Sequence, residues 1–144
     1  MNAGFIHMSL KIALLGCGAI GARHAQEIIN NGHILVAVCD TNEQKANELA
    51  ENYACASFSD YNEMLQQIKD IDVVSICTPN FLHATQTIDC LEAGKHVLCE
   101  KPMAIAANDA KMMLEASKAT GKKLLVVKQN RFNPPVKAVK QLLQ

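Results

Sequence analysis

Residues 11–21 read Lys11-Ile12-Ala13-Leu14-Leu15-Gly16-Cys17-Gly18-Ala19-Ile20-Gly21. A short apolar run leads into glycines spaced as Gly-x-Gly-x-x-Gly, and an amphipathic segment follows them. Such a loop between a strand and a helix is the setting in which a dinucleotide is held. Gly16 would permit the tight turn, Gly18 would let the backbone approach a pyrophosphate, and Gly21 would let the helix pack on the strand. The pattern predicts a dinucleotide-binding loop, with a nonbinding strand–helix turn as the alternative.

The rest of the chain alternates short apolar runs with longer amphipathic segments. The apolar runs predict strands over residues 11–15, 34–39, 55–58, 73–77, 96–99 and 124–128. The amphipathic segments predict helices over 21–31, 43–52, 60–69 and 108–120, and one from an Asn80 cap to a stop at Gly94; a capping box of Thr41 with Gln44 opens the second. This alternation predicts an α/β fold, a Rossmann-type doubly wound parallel sheet of about six strands with helices on both faces.

Composition narrows the class of protein. The chain has 144 residues, 49% of them hydrophobic, and its 14 basic and 14 acidic side chains cancel. A balanced charge predicts no nucleic-acid partner and no membrane partner, and the longest apolar run is far short of a membrane span. The six cysteines show neither a Cys-x-x-Cys pair nor metal-ligand spacing, which predicts buried, reduced thiols and no metal site. With no secretory signal at the N-terminus, we predict a cytoplasmic protein.

The two ends of the chain depart from this pattern. Residues 1–8 are predicted to be disordered or an extension, which leaves 9–132 as the dinucleotide-binding domain. A new helix then begins at Asn133-Pro134-Pro135, and its apolar stripe comprises Val136, Val139, Leu142 and Leu143. We interpret 133–144 as the start of a linker toward a second, substrate-binding α+β domain that is absent from this chain. A short terminal helix packed on the first domain is the alternative.

Asp40 ends the second predicted strand, nineteen residues after Gly21. A carboxylate there would accept hydrogen bonds from the adenosine ribose hydroxyls. A 2′-phosphate would meet like charge, so Asp40 favours NAD over NADP, with Lys45 as the nearest cation. The residues predicted to hold this part of the cofactor are Gly16, Gly18, Ala19, Ile20, Gly21 and Asp40.

Two further segments follow predicted strands, at the sheet edge where ligands bind in open parallel sheets. Thr78-Pro79-Asn80 would line the nicotinamide-ribose side of the cleft with His83, whose alternative role is capping or packing. Glu100-Lys101-Pro102 follows the fifth strand. Lys101 would relay a proton or bind a hydroxyl, Glu100 would orient the amine or the ribose, and Pro102 would fix the turn, with a cis bond as one way. On spacing alone, Lys101 can equally be a surface lysine.

Together these segments resemble the glucose–fructose oxidoreductase/inositol dehydrogenase family, known as Gfo/Idh/MocA. The resemblance covers nearly the whole chain and is carried in order by 16–21, Asp40, 78–83 and 93–102, the last reading Ala-Gly-Lys-His-Val-Leu-Cys-Glu-Lys-Pro. Residues 127–134, Val-Lys-Gln-Asn-Arg-Phe-Asn-Pro, are similar to a branch of sugar-nucleotide 3-dehydrogenases that oxidise UDP-N-acetyl-glucosaminuronate.

The resemblance implies a two-domain NAD(P)-dependent oxidoreductase that moves a hydride between nicotinamide and a hydroxyl-bearing carbon of a sugar, sugar nucleotide or cyclitol. It implies that Lys101 assists proton transfer, that Glu100 and Lys101 border the cofactor, and that Asn130 and Arg131 contact substrate at the cleft edge. We also predict a homo-oligomer. Two alternatives stay open: a non-catalytic NAD(P)-binding module or truncated inactive remnant, and an interaction protein on a degenerate fold.

Overall fold

The structure is a computed structural model and describes residues 8–142. Its elements in chain order are β1 Lys11–Leu15, α1 Ala19–Asn30, β2 Ile34–Cys39, α2 Glu43–Tyr53, β3 Ala56–Phe58, α3 Tyr61–Gln67, β4 Val73–Ile76, α4 His83–Glu92, β5 His96–Cys99, α5 Ala107–Thr120, β6 Leu124–Val126 and α6 Pro134–Leu142. Short 3₁₀ turns over Asn80–Leu82 and Gln129–Phe132 precede α4 and α6. The predicted extension, apart from Met8, lies outside the described residues, as does Leu143. None of the helices described is long and apolar enough to cross a membrane.

The strands form one parallel sheet in the order β3-β2-β1-β4-β5-β6. Its order reverses between β1 and β4, which pair in parallel from Ile12 with Val73 to Leu15 with Ile76. This is the strand order of a doubly wound dinucleotide-binding domain, in which a crevice opens at the carboxyl ends of the two central strands. The predicted fold class is confirmed.

Alternate residues of the strands enter two separate cores because successive side chains in a strand point to opposite faces. On one face Leu15 and Ile76 pack with Leu91 of α4 and Met113 of α5. On the other face Leu14 and Val38 pack with Ala25 of α1 and Leu49 of α2. Helices therefore pack on both faces, and the central strands are apolar on both sides except at Ser75 of β4, as expected for a parallel sheet.

The α1 side of the sheet is covered unevenly. α1 and α2 lie over β1 and β2, whereas α4 and α5 pack on the opposite face. Within residues 8–142 no helix lies over β4–β6 on the α1 side, and Leu125 of β6 is 59% exposed. A cavity occupies this half, between α1 and the three strands.

The first two helices begin differently from the prediction. α1 starts at Ala19 because Gly18 is its N-cap, so Gly21 lies inside the helix. α2 is capped by Asn42, whose side-chain oxygen accepts the Lys45 N–H at 3.1 Å. The predicted cap at Thr41 is therefore wrong.

The fourth helix begins later than predicted. Asn80 does not cap it, because the chain after Pro79 first makes a 3₁₀ turn, in which the Leu82 N–H donates to the Pro79 carbonyl oxygen at 2.9 Å. Asp60 does cap α3, with its carboxylate accepting the Asn62 N–H at 2.7 Å. α6 begins at Pro134 as predicted, and its stripe residues Val136 and Val139 are exposed.

Candidate functional site

The loop between β1 and α1 is packed tightly on two sides and open on a third. Gly16 has φ +90°, and a Cβ on it would lie 2.7 Å from the Cys77 carbonyl group. A Cβ on Gly21 would lie 1.9 Å from the Gly16 carbonyl oxygen, so α1 can approach the loop this closely because residue 21 has no side chain. The corresponding position on Gly18 has no atom within 4 Å. The loop therefore offers its backbone to a ligand at Gly18.

The first turn of α1 continues this open surface. Gly18 has no side chain to accept an amide hydrogen, and the first turn contains no acidic residue. Ala19 and Ile20 are exposed there. Because the first amide groups of a helix have no partner within the helix and lie at its positive dipole end, they attract an anionic group. An open cradle with free donors fits the pyrophosphate of a dinucleotide.

Asp40 does more than the sequence suggests. Its Oδ2 accepts the Cys17 N–H at 2.7 Å, and its Oδ1 accepts the Asn42 N–H at 2.9 Å. The half-buried carboxylate thus joins the glycine loop to the start of α2. Each carboxylate oxygen has two acceptor sites, so both oxygens keep one for a ribose hydroxyl. Asp40 can therefore still bind the adenosine ribose of NAD, and its hydrogen bond to Cys17 is an additional, structural role.

His83 does not line the cleft. Its ring is fully buried, with Nδ1 2.8 Å from the Pro102 carbonyl oxygen and Nε2 2.9 Å from that of Thr78. The ring points inward because residue 83 belongs to the buried stripe of α4, which also contains Gln86 and Cys90. The packing role is therefore the correct alternative, and His83 holds together the segments that follow β4 and β5.

The segment after β4 reaches the cavity through other residues. Thr78 and Asn80 line the cavity, whereas Pro79 is exposed beside them. The Thr78 hydroxyl donates to Gln86 Oε1 at 2.6 Å, which anchors this turn to α4. This hydrogen bond holds the turn against α4 without the help of a ligand.

Glu100 and Lys101 enter the same cavity from the end of β5. Glu100 Oε2 accepts the backbone N–H of Lys101 at 3.0 Å, and Oε1 lies 3.0 Å from Nε2 of His24. The carboxylate therefore fixes the main chain of Lys101 and not its amine. The exposed Lys101 ammonium has no ion pair or hydrogen bond within the described part of the chain. The bond between Lys101 and Pro102 is cis.

The cavity that joins these groups has a volume of about 710 Å³. Its polar and α1 walls include Ile20, His24, Thr78, Asn80, Glu100 and Lys101. The rest of the wall is formed by apolar side chains of β4–β6 and β1, by further residues of α1 such as Arg23 and Glu27, and by His33 and Gln129. The structure thus brings the predicted residues after β4 and β5 together with the first turn of α1, while Asp40 lies at the adjoining end of β2.

The segment after β6 contributes differently from the prediction. Gln129 lines the cavity, whereas Asn130 faces solvent and its Oδ1 accepts from Asn133 Nδ2 at 3.2 Å. The backbone of Arg131 lies in the same 3₁₀ turn, and its side chain is outside what the structure describes. Substrate contact by Asn130 and Arg131 stays a prediction.

Sequence reasoning missed His24 and Ser75, although each left a signal. Ser75 is a polar residue inside the apolar run of β4 and is 1% exposed. His24 lies one helical turn after Ile20, so both occupy the same face of α1. His24 Nδ1 is 2.8 Å from Ser75 Oγ. A buried polar residue in a strand requires a partner, which is the argument that would have indicated this pair.

The cysteines near the site are unreactive thiols. All six cysteines are free, and burial raises the pKa of Cys17 and of Cys77, in each case to about 12. A thiol with so high a pKa stays protonated at neutral pH and is a poor nucleophile. Among residues 8–142 no group of three or more His, Cys, Asp or Glu side chains is placed to hold a metal ion.

Known proteins share this fold and sequence. Residues 10–128 match the model of the oxidoreductase family with an NAD-binding Rossmann fold, Gfo/Idh/MocA. The chain is 38% identical to D-glucoside 3-dehydrogenase of Escherichia coli K12 over 92% of its own length and 38% of that protein's. It is 35% identical to inositol 2-dehydrogenase of Salmonella typhimurium LT2, over 83% of this chain and 37% of the relative.

Solved structures agree with these relatives. The crystal structure of the WlbA dehydrogenase from Bordetella pertussis, in complex with NADH and UDP-GlcNAcA, superposes with a TM-score of 0.91 at 36% identity. The superposition covers 94% of this chain and 42% of that one. The chain thus spans about two fifths of the length of the proteins it matches. By sequence and by fold, it belongs to the Gfo/Idh/MocA oxidoreductase family and contains that family's NAD-binding Rossmann domain.

Proposed function

We propose that this chain is the cofactor-binding part of an NAD-dependent dehydrogenase acting on a hydroxyl-bearing carbon of a sugar or sugar nucleotide. The observation that carries the proposal is the position of Lys101. Lys101 follows β5 and lines a cavity that Ile20, in the first turn of α1 after the open glycine loop, also lines, and its amine is unpaired within the described residues. That placement puts a proton-carrying group next to a dinucleotide cradle.

Different residues of the chain bind the cofactor and transfer the proton in the proposed enzyme. The amide groups of Gly18, Ala19 and Ile20 bind the pyrophosphate, and Asp40 accepts from the adenosine ribose. Thr78, Asn80 and Glu100 border the nicotinamide end. When bound, the nicotinamide supplies the hydride acceptor or donor. Lys101 exchanges a proton with the substrate hydroxyl at Nζ, and Glu100 keeps the Lys101 backbone in place for it.

The carboxylate of Asp40 also supports NAD over NADP. Both of its oxygens are already directed by backbone amides, so the group cannot easily turn away from a ligand. A ribose 2′-phosphate beside it would bring together like charges in a half-buried place. NADPH is therefore expected to bind more weakly than NADH.

The class of substrate is proposed from the relatives and from the end of β6. D-Glucoside 3-dehydrogenase and the WlbA complex with UDP-GlcNAcA support a sugar or sugar nucleotide, and we propose the UDP-GlcNAcA branch in particular. Gln129 already lines the cavity, and Asn130 and Arg131 follow it in the same turn. These two are proposed to contact the substrate from the cavity edge.

The remaining part of such an enzyme is proposed as well. We assign residues 9–132 to the cofactor domain, 1–8 to an extension and 133–144 to the start of a linker. A second domain completes the substrate pocket in the proposed enzyme. The exposed stripe of α6 and the exposed Leu125 support a homo-oligomer, and six free cysteines support a cytoplasmic location.

Lys101→Ala tests the central assignment. In the enzyme with a complete substrate pocket, the variant should bind NADH with nearly unchanged Kd and lose turnover by roughly 10²–10⁴-fold, the scale of a lost acid–base group. Lys101→Arg is the matched control, since it keeps the charge but does not release its proton. Parallel losses of NADH binding and turnover would show a structural role for Lys101. Strong NADH binding without turnover in any assembly would instead favour the non-catalytic binding module.

A further inference from the structure

His24 forms a chain of hydrogen bonds across three separate elements. On α1, its Nδ1 lies 2.8 Å from Ser75 Oγ of β4, and its Nε2 lies 3.0 Å from Glu100 Oε1 at the end of β5. The side chains of His24 and Glu100 are each 15% exposed, and Ser75 is 1% exposed. The contacts are therefore shielded from water over most of their surface.

The carboxylate of Glu100 fixes the direction of one of these hydrogen bonds. An ionised carboxylate only accepts, so Nε2 of His24 carries the hydrogen and donates to Glu100. In the neutral ring Nδ1 is then an acceptor, and the Ser75 hydroxyl donates to it. The other oxygen of Glu100 accepts the Lys101 N–H at 3.0 Å. One continuous chain thus runs from the interior of β4 to the backbone of Lys101.

We propose that His24 is a positioning residue, which holds the Glu100 carboxylate and through it the backbone of Lys101 at the wall of the cavity between α1 and β4–β6. Its importance for the reaction rests on the proposed function, whereas its effect on Glu100 and Lys101 does not. Ser75, on β4, in turn holds the ring of His24 through its hydrogen bond with Nδ1. A carboxylate held at both oxygens cannot rotate, so the approach of a ligand does not have to order it.

The same three residue types form the hydrolytic Ser-His-acid arrangement, but this geometry excludes that role. Ser75 is almost fully buried, so its hydroxyl cannot meet a substrate carbonyl. Catalysis of that kind also needs the acid to orient the ring while the serine stays accessible. Here the roles are different: Ser75 holds the His24 ring, and the ring holds the Glu100 carboxylate, which lines the cavity.

A structural role alone also fails to account for His24. The ring is partly exposed, both of its nitrogens contact polar side chains, and it lines the cavity that Lys101 also lines. Its removal should leave both cores intact and affect the end of β5. The local readout is the amide hydrogen of Lys101, which Glu100 protects. The amide of Val127 is the internal reference, because it donates to the Cys99 carbonyl oxygen at 2.9 Å and therefore not to Glu100.

The test compares His24→Leu with His24→Gln, whose amide nitrogen can still donate to Glu100, and adds Ser75→Ala as a milder change. Amide exchange is followed by NMR and NADH affinity by fluorescence titration. We expect His24→Leu to speed exchange at Lys101 about tenfold and to raise the NADH Kd about tenfold, the scale of one hydrogen bond to a charged group. His24→Gln should stay near wild type in both, and Ser75→Ala should fall between.

Unchanged exchange at Lys101 in His24→Leu would overturn the proposal, as would equal losses in His24→Leu and His24→Gln. If His24→Leu does not fold, Ser75→Ala and His24→Gln still decide, because the proposal requires exchange at Lys101 to increase in the first and not in the second. If the wild-type chain does not bind NADH, the proposed function fails while the exchange measurement still tests the positioning of Glu100.

Discussion

Replacing Gly21 by alanine should separate packing from binding when compared with the same change at Gly18. A Cβ at position 21 would lie 1.9 Å from the Gly16 carbonyl oxygen, and real Cβ contacts are essentially never under 3.0 Å. Both sides of the contact are backbone, so α1 and the loop must separate by about 1.1 Å. Overpacking of this kind costs about 1–3 kcal/mol where side chains can adjust, and we expect about 3 kcal/mol or more here.

At position 18 the same methyl group meets no atom within 4 Å. Gly18 has φ −73° and ψ −172°, a conformation that alanine adopts freely. Alanine is a poorer N-cap than glycine, which lowers stability, but it also restricts the unfolded chain, which raises stability. Because the two effects oppose each other, the free energy of unfolding should change by less than about 1 kcal/mol. The added methyl group does occupy the space through which a pyrophosphate would approach. The NADH Kd should rise roughly tenfold, which corresponds to about 1.4 kcal/mol.

Thermal unfolding followed by circular dichroism, together with NADH titration, measures both effects. A loss of about 3 kcal/mol should lower the Tm of Gly21→Ala by roughly 12 °C for a domain of this size, while Gly18→Ala should melt close to wild type. Gly21→Ala with an unchanged Tm would refute the packing argument. Gly18→Ala with an unchanged NADH Kd would refute the placement of the pyrophosphate.

Asp40→Ala should lower stability by about 1–3 kcal/mol, because the Cys17 N–H loses its acceptor, and should also weaken NADH binding. Calorimetry and NADH titration check this against Asp60→Ala, which removes a carboxylate that accepts the Asn62 amide at the start of α3 and not an amide of the glycine loop. The control should change the Tm and leave the Kd unchanged. Burial raises the pKa of Cys90 from its ordinary 9.0 to about 12, and burial with the Asp89 hydrogen bond raises that of Tyr61 from 10.0 to about 12. Because the unfolded chain releases these protons first, stability should be full below pH 9 and fall as pH rises toward 12. Urea unfolding at pH 8 and pH 10.5 checks the sign, and a more stable protein at the higher pH would contradict it.

Local pattern was sufficient for the fold. The strand before Gly16 and the regular strand–helix alternation predict parallel pairing, and all six strands pair in parallel. Local pattern does not determine where a helix starts when several adjacent residues can cap it equally well. Thr41 and Asn42 are both good caps, and only the path of the chain after β2 selects Asn42.

The contacts inside the site could not be read from spacing. Ser75 and His24 are 51 residues apart, and His24 and Glu100 are 76 apart. Their meeting depends on the strand order, which places β4 beside β1 and β5 beside β4. His83 was ambiguous for a related reason: the 3₁₀ turn before α4 sets which face of that helix it occupies. Long-range pairing and the phase of a helix therefore decide roles that residue type leaves open.

Two carboxylates at opposite ends of the sheet edge are built on the same principle. Asp40 accepts the Cys17 and Asn42 amides, and Glu100 accepts the Lys101 amide and the His24 ring. In each case the bonds fix a loop and leave acceptor sites for a ligand. Since a group that is already ordered loses little conformational freedom on binding, more of its interaction energy remains as affinity. The fold therefore prepares both ends of the crevice before a cofactor arrives, and a nearly fully buried residue such as Ser75 should still affect cofactor affinity through His24 and Glu100.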